Sequence, residues 1–172
     1  MVRKLLIGVI ALLQVTATQA LLIPADLPDG LYTIPFDSNG AAVSDPVRVE
    51  ARHSRIMRES LLEKRQTQRW QAKCGNTGRI QINDFQVAKE NLQSECDRGE
   101  TYRPNMAVVY TTGNSIAYFC NFDRENRCSR SEYEDAMLGL VSQCGSGNGG
   151  EVYLASADKG YGGDNKGVEI CL

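Results

Sequence analysis

All six cysteines of this chain, Cys74, Cys96, Cys120, Cys128, Cys144 and Cys171, lie beyond residue 73. Six thiols in so short a stretch belong in an oxidising compartment, where they pair as three disulfides. Each bridge restricts the unfolded chain and is worth about 2–4 kcal/mol. Six cysteines allow fifteen pairings, and their spacing does not choose among them. No CxxC occurs, and the one histidine, His53, precedes the cysteine-rich part, so a zinc centre lacks its ligands there. Cysteine in this chain is structural.

The N-terminus agrees with export. Arg3 and Lys4 precede an apolar run from Leu5 to Val15, and Thr18 and Ala20 are the small residues a signal peptidase requires. A run of this length reaches only ~16 Å as a helix, about half of a bilayer core. Residues 1–20 are therefore a signal peptide, cut after Ala20. Residues 21–65 hold four of the five prolines and no cysteine. Turn chemistry stands at Pro28-Asp29-Gly30 and Ser38-Asn39-Gly40. This segment cannot bury a core of its own, and it closes on Lys64-Arg65, a dibasic pair that a kexin-type protease cuts after. It reads as a propeptide, acting either as a folding aid or as a latency or transport tag. The mature domain is then 66–172, starting at Gln66.

That domain carries 11 basic and 14 acidic side chains. A net charge of −3 excludes a polyanion binder, which needs concentrated basic surface, so no nucleic acid is expected as partner. Its periodicity is informative. Arg79 to Asn83 alternates like a short strand, with Ile80 and Ile82 on one face. Asn83 or Asp84 can cap a helix carrying Phe85, Ala88, Leu92 and Cys96 at helical spacing. Met106–Thr111 and Ser115–Phe122 are β-rich runs around the hairpin signature Thr112-Gly113-Asn114. Ser129-x-x-Glu132 and Ser131-x-x-Glu134 are both capping boxes. Tyr133, Ala136, Met137, Leu140, Val141 and Cys144 follow as an apolar stripe that Gly145 stops. Glu151–Ala155 and Val168–Cys171 are the last strands. The order β-α-β-β-α-β-β predicts an α+β two-layer sandwich, an antiparallel sheet with two helices on one face. Cys96 and Cys144 end the two helices, and each is expected to staple a helix to the sheet.

Catalytic equipment is sparse. Without histidine in the mature domain, Ser-His-Asp and Cys-His chemistry is excluded, and oxidised cysteines are not nucleophiles. Paired carboxylates remain, as in glycoside hydrolysis, but Glu132, Glu134 and Asp135 serve a helix N-terminus. The chain reads as non-enzymatic and without cofactors. Gly145-Ser146-Gly147-Asn148-Gly149-Gly150 matches a dinucleotide fingerprint but follows a helix and precedes a strand, the wrong order. Asp158 to Glu169 has the length of a calcium loop, yet Gly160 and Gly162 stand where oxygen ligands are needed. Eight of the 16 glycines lie between Gly145 and Gly167, which predicts a loop-rich recognition region. Trp70, Lys159, Tyr161 and Lys166 are its candidate contact residues.

The signal peptide, Leu27-Pro28-Asp29-Gly30-Leu31-Tyr32, the Lys64-Arg65 junction and the six cysteines together resemble small cysteine-rich secreted fungal proteins, many of them candidate effectors of plant interaction. Residues 74–171 also resemble, more loosely, the virally encoded killer toxins of smut fungi that block calcium channels. That likeness rests on Gly113-Asn114-Ser115-Ile116-Ala117-Tyr118, Leu138-Gly139-Leu140-Val141, Cys144-Gly145 and Val168-Glu169-Ile170-Cys171. Those toxins carry more cysteines, and a His-Gly-Cys segment where Ser142-Gln143-Cys144 stands here. The first resemblance implies a secreted monomer that binds a host protein or cell-surface target after processing by signal peptidase and a kexin-type protease. The second implies inhibition of competitor cells through a basic loop residue, Lys159 or Lys166. A third reading is a small glycan-binding or glycan-cleaving protein using Trp70 and Tyr161.

Overall fold

The hairpin marked by Thr112-Gly113-Asn114 lies near the middle of a large antiparallel sheet. Its strands pair from Met106↔Asn121 to Thr112↔Ser115, and Gly113, at φ 54°, occupies a left-handed conformation open to glycine at little cost. The computed structural model describes residues 20–50 and 70–171. Residues 1–19 of the expected signal peptide and the Lys64-Arg65 junction lie outside the described residues.

In chain order the elements are β1 (Leu21–Leu22), β2 (Gly30–Pro35), β3 (Val47–Val49), β4 (Trp70–Arg79), α1 (Ile82–Cys96), β5 (Thr101–Tyr102) and β6 (Met106–Thr112). They continue with β7 (Ser115–Asn121), β8 (Asn126–Arg127), α2 (Arg130–Cys144), β9 (Asn148–Leu154), β10 (Lys159–Asn165) and β11 (Glu169–Ile170). Seven strands form one sheet in the order β3-β2-β6-β7-β10-β9-β4, while β1 pairs with β11 and β5 with β8. Ala88 and Leu92 of α1 and Tyr133, Ala136 and Leu140 of α2 pack into one core with Val108, Phe119, Val152 and Tyr161 of the sheet. The fold is the α+β two-layer sandwich expected from the sequence, with both helices on one face.

The helices follow their stripes. Ser129 is the N-cap of α2 and its side chain accepts from the Glu132 amide. Gly145 closes that helix at φ 86°. Val141 departs from its stripe and is half exposed. The entry to α1 differs from expectation. Strand β4 ends at Arg79, helix α1 starts at Ile82, and its N-cap is Gln81 without a side-chain cap bond. Asp84 instead accepts from the Asn114 amide at 3.3 Å, tying the helix's first turn to the hairpin turn.

The largest difference lies in residues 21–49. They have no core of their own because they share the domain's. Strand β2 pairs with β6 over six residue pairs, Gly30↔Thr111 to Pro35↔Met106, and with β3 on its other side. Leu31 faces the helices, whereas Tyr32, Ile34 and Phe36 face away from them. There they meet Val109, Ile116, Tyr118 and Cys120 under the β1–β11 ribbon, which adds Leu21, Ile23, Val168 and Ile170. Residues 21–49 therefore pack as part of the same domain as residues 70–171.

The glycine-rich stretch is also reassigned. β10 reads Lys-Gly-Tyr-Gly-Gly-Asp-Asn, is buried throughout, and lies between β7 and β9. Its glycines give clearance: a Cβ on Gly162 would collide with the Tyr118 ring and one on Gly163 with the Phe85 ring. Aromatic side chains lying over backbone supply the packing that the glycines lack. Gly162→Ala is expected to destabilise by about 1–3 kcal/mol, since the fully buried Tyr118 ring has nowhere to move. Denaturant unfolding would check this.

The cysteines pair Cys74–Cys144, Cys96–Cys128 and Cys120–Cys171. The first staples the end of α2 to strand β4, as expected. The second joins the end of α1 to the residue before Ser129, so it links helix to helix entry rather than helix to sheet. There Arg130 reinforces the join, bonding Asp97 at 2.6 Å and Gln93 at 3.1 Å. The third fixes the C-terminal tail to the face away from the helices. No disulfide reaches residues 20–50.

Candidate functional site

Of the four residues expected at a recognition surface, Lys159, Tyr161 and Lys166 turn their side chains inward, and Trp70 is partly exposed. Tyr161 is completely buried, and its hydroxyl donates to Glu132 Oε2 at 2.7 Å and accepts from the Ser129 amide at 3.1 Å. Lys159 is buried beside it, with its ammonium 2.5 Å from Glu132 Oε2 and 3.2 Å from the Arg127 carbonyl. This network docks the start of α2 onto β10. Trp70 is half-buried against the helix-side core. Lys166 donates to the Leu27 carbonyl at 2.6 Å and pairs with Asp29 at 3.2 Å, leaving its side chain 6% exposed. For Lys159 and Tyr161 the physical reason is that the segment read as a loop is the central strand β10, so their side chains enter the core and an ion pair. Lys166 follows that strand directly, and Trp70 lies on the edge strand β4.

Lys166 belongs to a clamp on the N-terminal segment. The Gly113 amide donates to Asp29 Oδ2 at 3.1 Å, and Thr111 donates to the Pro28 carbonyl at 2.7 Å. The Gly113 hydrogen bond, and then Lys166, hold the Asp29 carboxyl below its ordinary 3.8. A lowered folded-state value contributes stability above the unfolded pKa, lost as pH falls through the folded one. The clamp is expected to hold at neutral pH and to loosen on acidification below 3.8. A pH series of Gly113 amide exchange would read this, and Asp29→Asn should abolish the dependence.

An open pocket of about 370 Å³ lies at the end of the hairpin opposite Gly113. Its walls come from remote parts of the chain: Ala20, Phe36 and the turn Asp37–Gly40, then Lys73, Asn105, Phe122, Asp123 and Cys171. Backbone bonds join three of them, Phe36, Asn105 and Phe122. The Phe36 amide donates to the Asn105 carbonyl at 3.0 Å, and the Asn105 amide to the Phe122 carbonyl at 2.7 Å. Asp37 Oδ1 accepts from the Asn39 and Ala41 amides at 2.8 and 3.0 Å, which sets the turn. Phe36 and Phe122 meet edge to face at 5.8 Å, and Phe122 meets Tyr153 at 5.6 Å. Burial raises the Tyr153 phenol, and its hydrogen bond to Asp158 raises it further. Apolar ring faces, two carboxylates, an ammonium and amides converge here, which suits orientation-specific binding of an amphipathic group.

Sequence reasoning missed this pocket. Its one local signal was the Ser38-Asn39-Gly40 turn, placed in a segment assigned to removal. Among the described residues, no group of three or more His, Cys, Asp or Glu side chains could hold a metal ion, and no helix is long and apolar enough to cross a membrane. Comparison with protein-family models, curated proteins and solved structures finds no match to this chain.

Proposed function

We propose that this is a secreted fungal protein of the effector type, which acts without catalysis by binding a host protein or cell-surface target. Export would follow signal-peptidase cleavage after Ala20, with kexin-type cleavage after Lys64-Arg65. The observation that carries the binding role is the pocket bounded by Phe36, Lys73, Phe122 and Asp123, in which backbone bonds through Asn105 join Phe36 to Phe122. Its volume falls in the range of sites that seat a small ligand or a partner's side chains. The pairing of all six cysteines supports an extracellular location. The toxin reading draws less support, because Lys159 and Lys166, the basic residues it would use, are both buried in ion pairs. The glycan reading loses its Tyr161 platform to the core in the same way.

The test applies the secreted protein to plant tissue and to a panel of competitor fungi, beside the double variant Lys73→Glu/Asp123→Lys. A plant response that the variant lowers at least about tenfold, at unchanged melting temperature, is the expected result; exposed charges contribute within about 0.5 kcal/mol to folding. Fungal growth inhibition relieved by added calcium would replace this reading with the toxin one.

A further inference from the structure

We infer that the segment removed from the covalent chain by kexin-type cleavage is not discarded: residues 21–65 stay in the mature protein as a second, non-covalently bound chain. The inference rests on the proposed cleavage after Arg65 and goes beyond it. In that step water adds across the Arg65–Gln66 peptide bond, leaving a carboxylate on Arg65 and an amine on Gln66.

This segment supplies β3 and β2, the two outer strands at one side of the seven-stranded sheet, and β2 is hydrogen-bonded to β6 over six residue pairs. Its departure would leave β6 as an unpaired edge and uncover the core beneath Tyr32, Ile34 and Phe36. A bare, apolar edge strand is a template for aggregation. β1 adds a second ladder with β11, through Leu21↔Ile170 and Leu22↔Glu169. Polar clasps close both ends of the contact: Lys166 and the Gly113 amide hold Asp29, and the Asn105 carbonyl holds the Phe36 amide. The arrangement is strand complementation, in which main-chain bonds give affinity and alternate side chains give specificity. None of the three disulfides links the two pieces. Each piece supplies walls of the pocket, Phe36 to Gly40 from one and Lys73, Phe122 and Asp123 from the other. The binding site therefore exists only while both remain together.

The experiment is mass spectrometry of the full precursor secreted by a host with an active kexin-type protease, under native and then denaturing, non-reducing conditions. Any uncut chain is treated with that protease in vitro beforehand. The expected result is one native particle holding residues 21–65 and 66–172 in equal amounts, which denaturation separates without reductant. A native particle of 66–172 alone overturns the two-chain inference and leaves the cleavage reading intact. A chain still whole from residue 21 to 172 after protease treatment overturns the cleavage reading and the two-chain product with it. In the cut protein, Ile34→Ala should speed loss of the N-terminal chain at least about tenfold, and an unchanged rate counts against β2 as the anchor.

Discussion

A chain beginning at Gln66 is expected not to reach the native three-disulfide state. Removing residues 21–65 strips six large apolar side chains from the cores: Leu21, Ile23, Leu31, Tyr32, Ile34 and Phe36. At about 1.5–3 kcal/mol for each fully buried side chain, the loss is on the order of 10 kcal/mol. A domain's whole stability is about 5–15 kcal/mol, so little or none is left. The β2–β6 ladder is lost as well, and the hairpin is left with an open edge on β6. The readouts are the yield of the species without free thiols and the presence of a cooperative unfolding transition. Adding residues 21–50 as a separate peptide should restore both. A truncated chain with full yield and an unchanged midpoint would show that the N-terminal strands are dispensable.

Lys159→Met is expected to destabilise by about 2–4 kcal/mol, below the usual cost of breaking a buried pair because Glu132 keeps some contact with water. The variant leaves a carboxylate in the α2–β10 junction with the Tyr161 hydroxyl as its remaining side-chain donor. The Arg127 carbonyl loses the ammonium hydrogen bond that Lys159 gives it. Adding Glu132→Gln removes the stranded charge while keeping an oxygen that accepts from Tyr161, so the double variant should recover part of the loss. Non-additivity in the double-mutant cycle measures the pair directly. If the two single losses simply add, the network is not coupled and α2 is held by its apolar stripe alone.

Local features were legible because their causes are local. The Ser129 cap with Glu132 three residues on, the stripe of Tyr133, Ala136 and Leu140, and the Gly113-Asn114 reversal all operate within a few turns of chain. Each appears at its expected place. Where two local signals competed, packing chose between them. Ser129 and not Ser131 caps α2. The Ser129 amide donates to the Tyr161 hydroxyl while the Glu132 carboxylate turns to Tyr161 and Lys159, so the return bond of a capping box is not made. Ile82 leaves the alternation of Arg79–Asn83 and opens α1, with its side chain 61% exposed.

The sequence by itself therefore determined the fold class, the two helices, the central hairpin and the oxidised, structural state of cysteine. These follow from periodicity, capping and composition. Only the tertiary structure decided which cysteines pair, that β2 of the N-terminal segment completes the sheet, and that Lys159, Tyr161 and Lys166 turn inward. A glycine in isolation signals a turn; opposite Tyr118 or Phe85 it is the clearance that lets two strands and a ring occupy one place. Likewise Gly30–Pro35 shows no core of its own until β6 lies beside it. The physical reason is the same in both cases: burial is a property of what lies opposite a residue, and that neighbour stands tens of residues away along the chain.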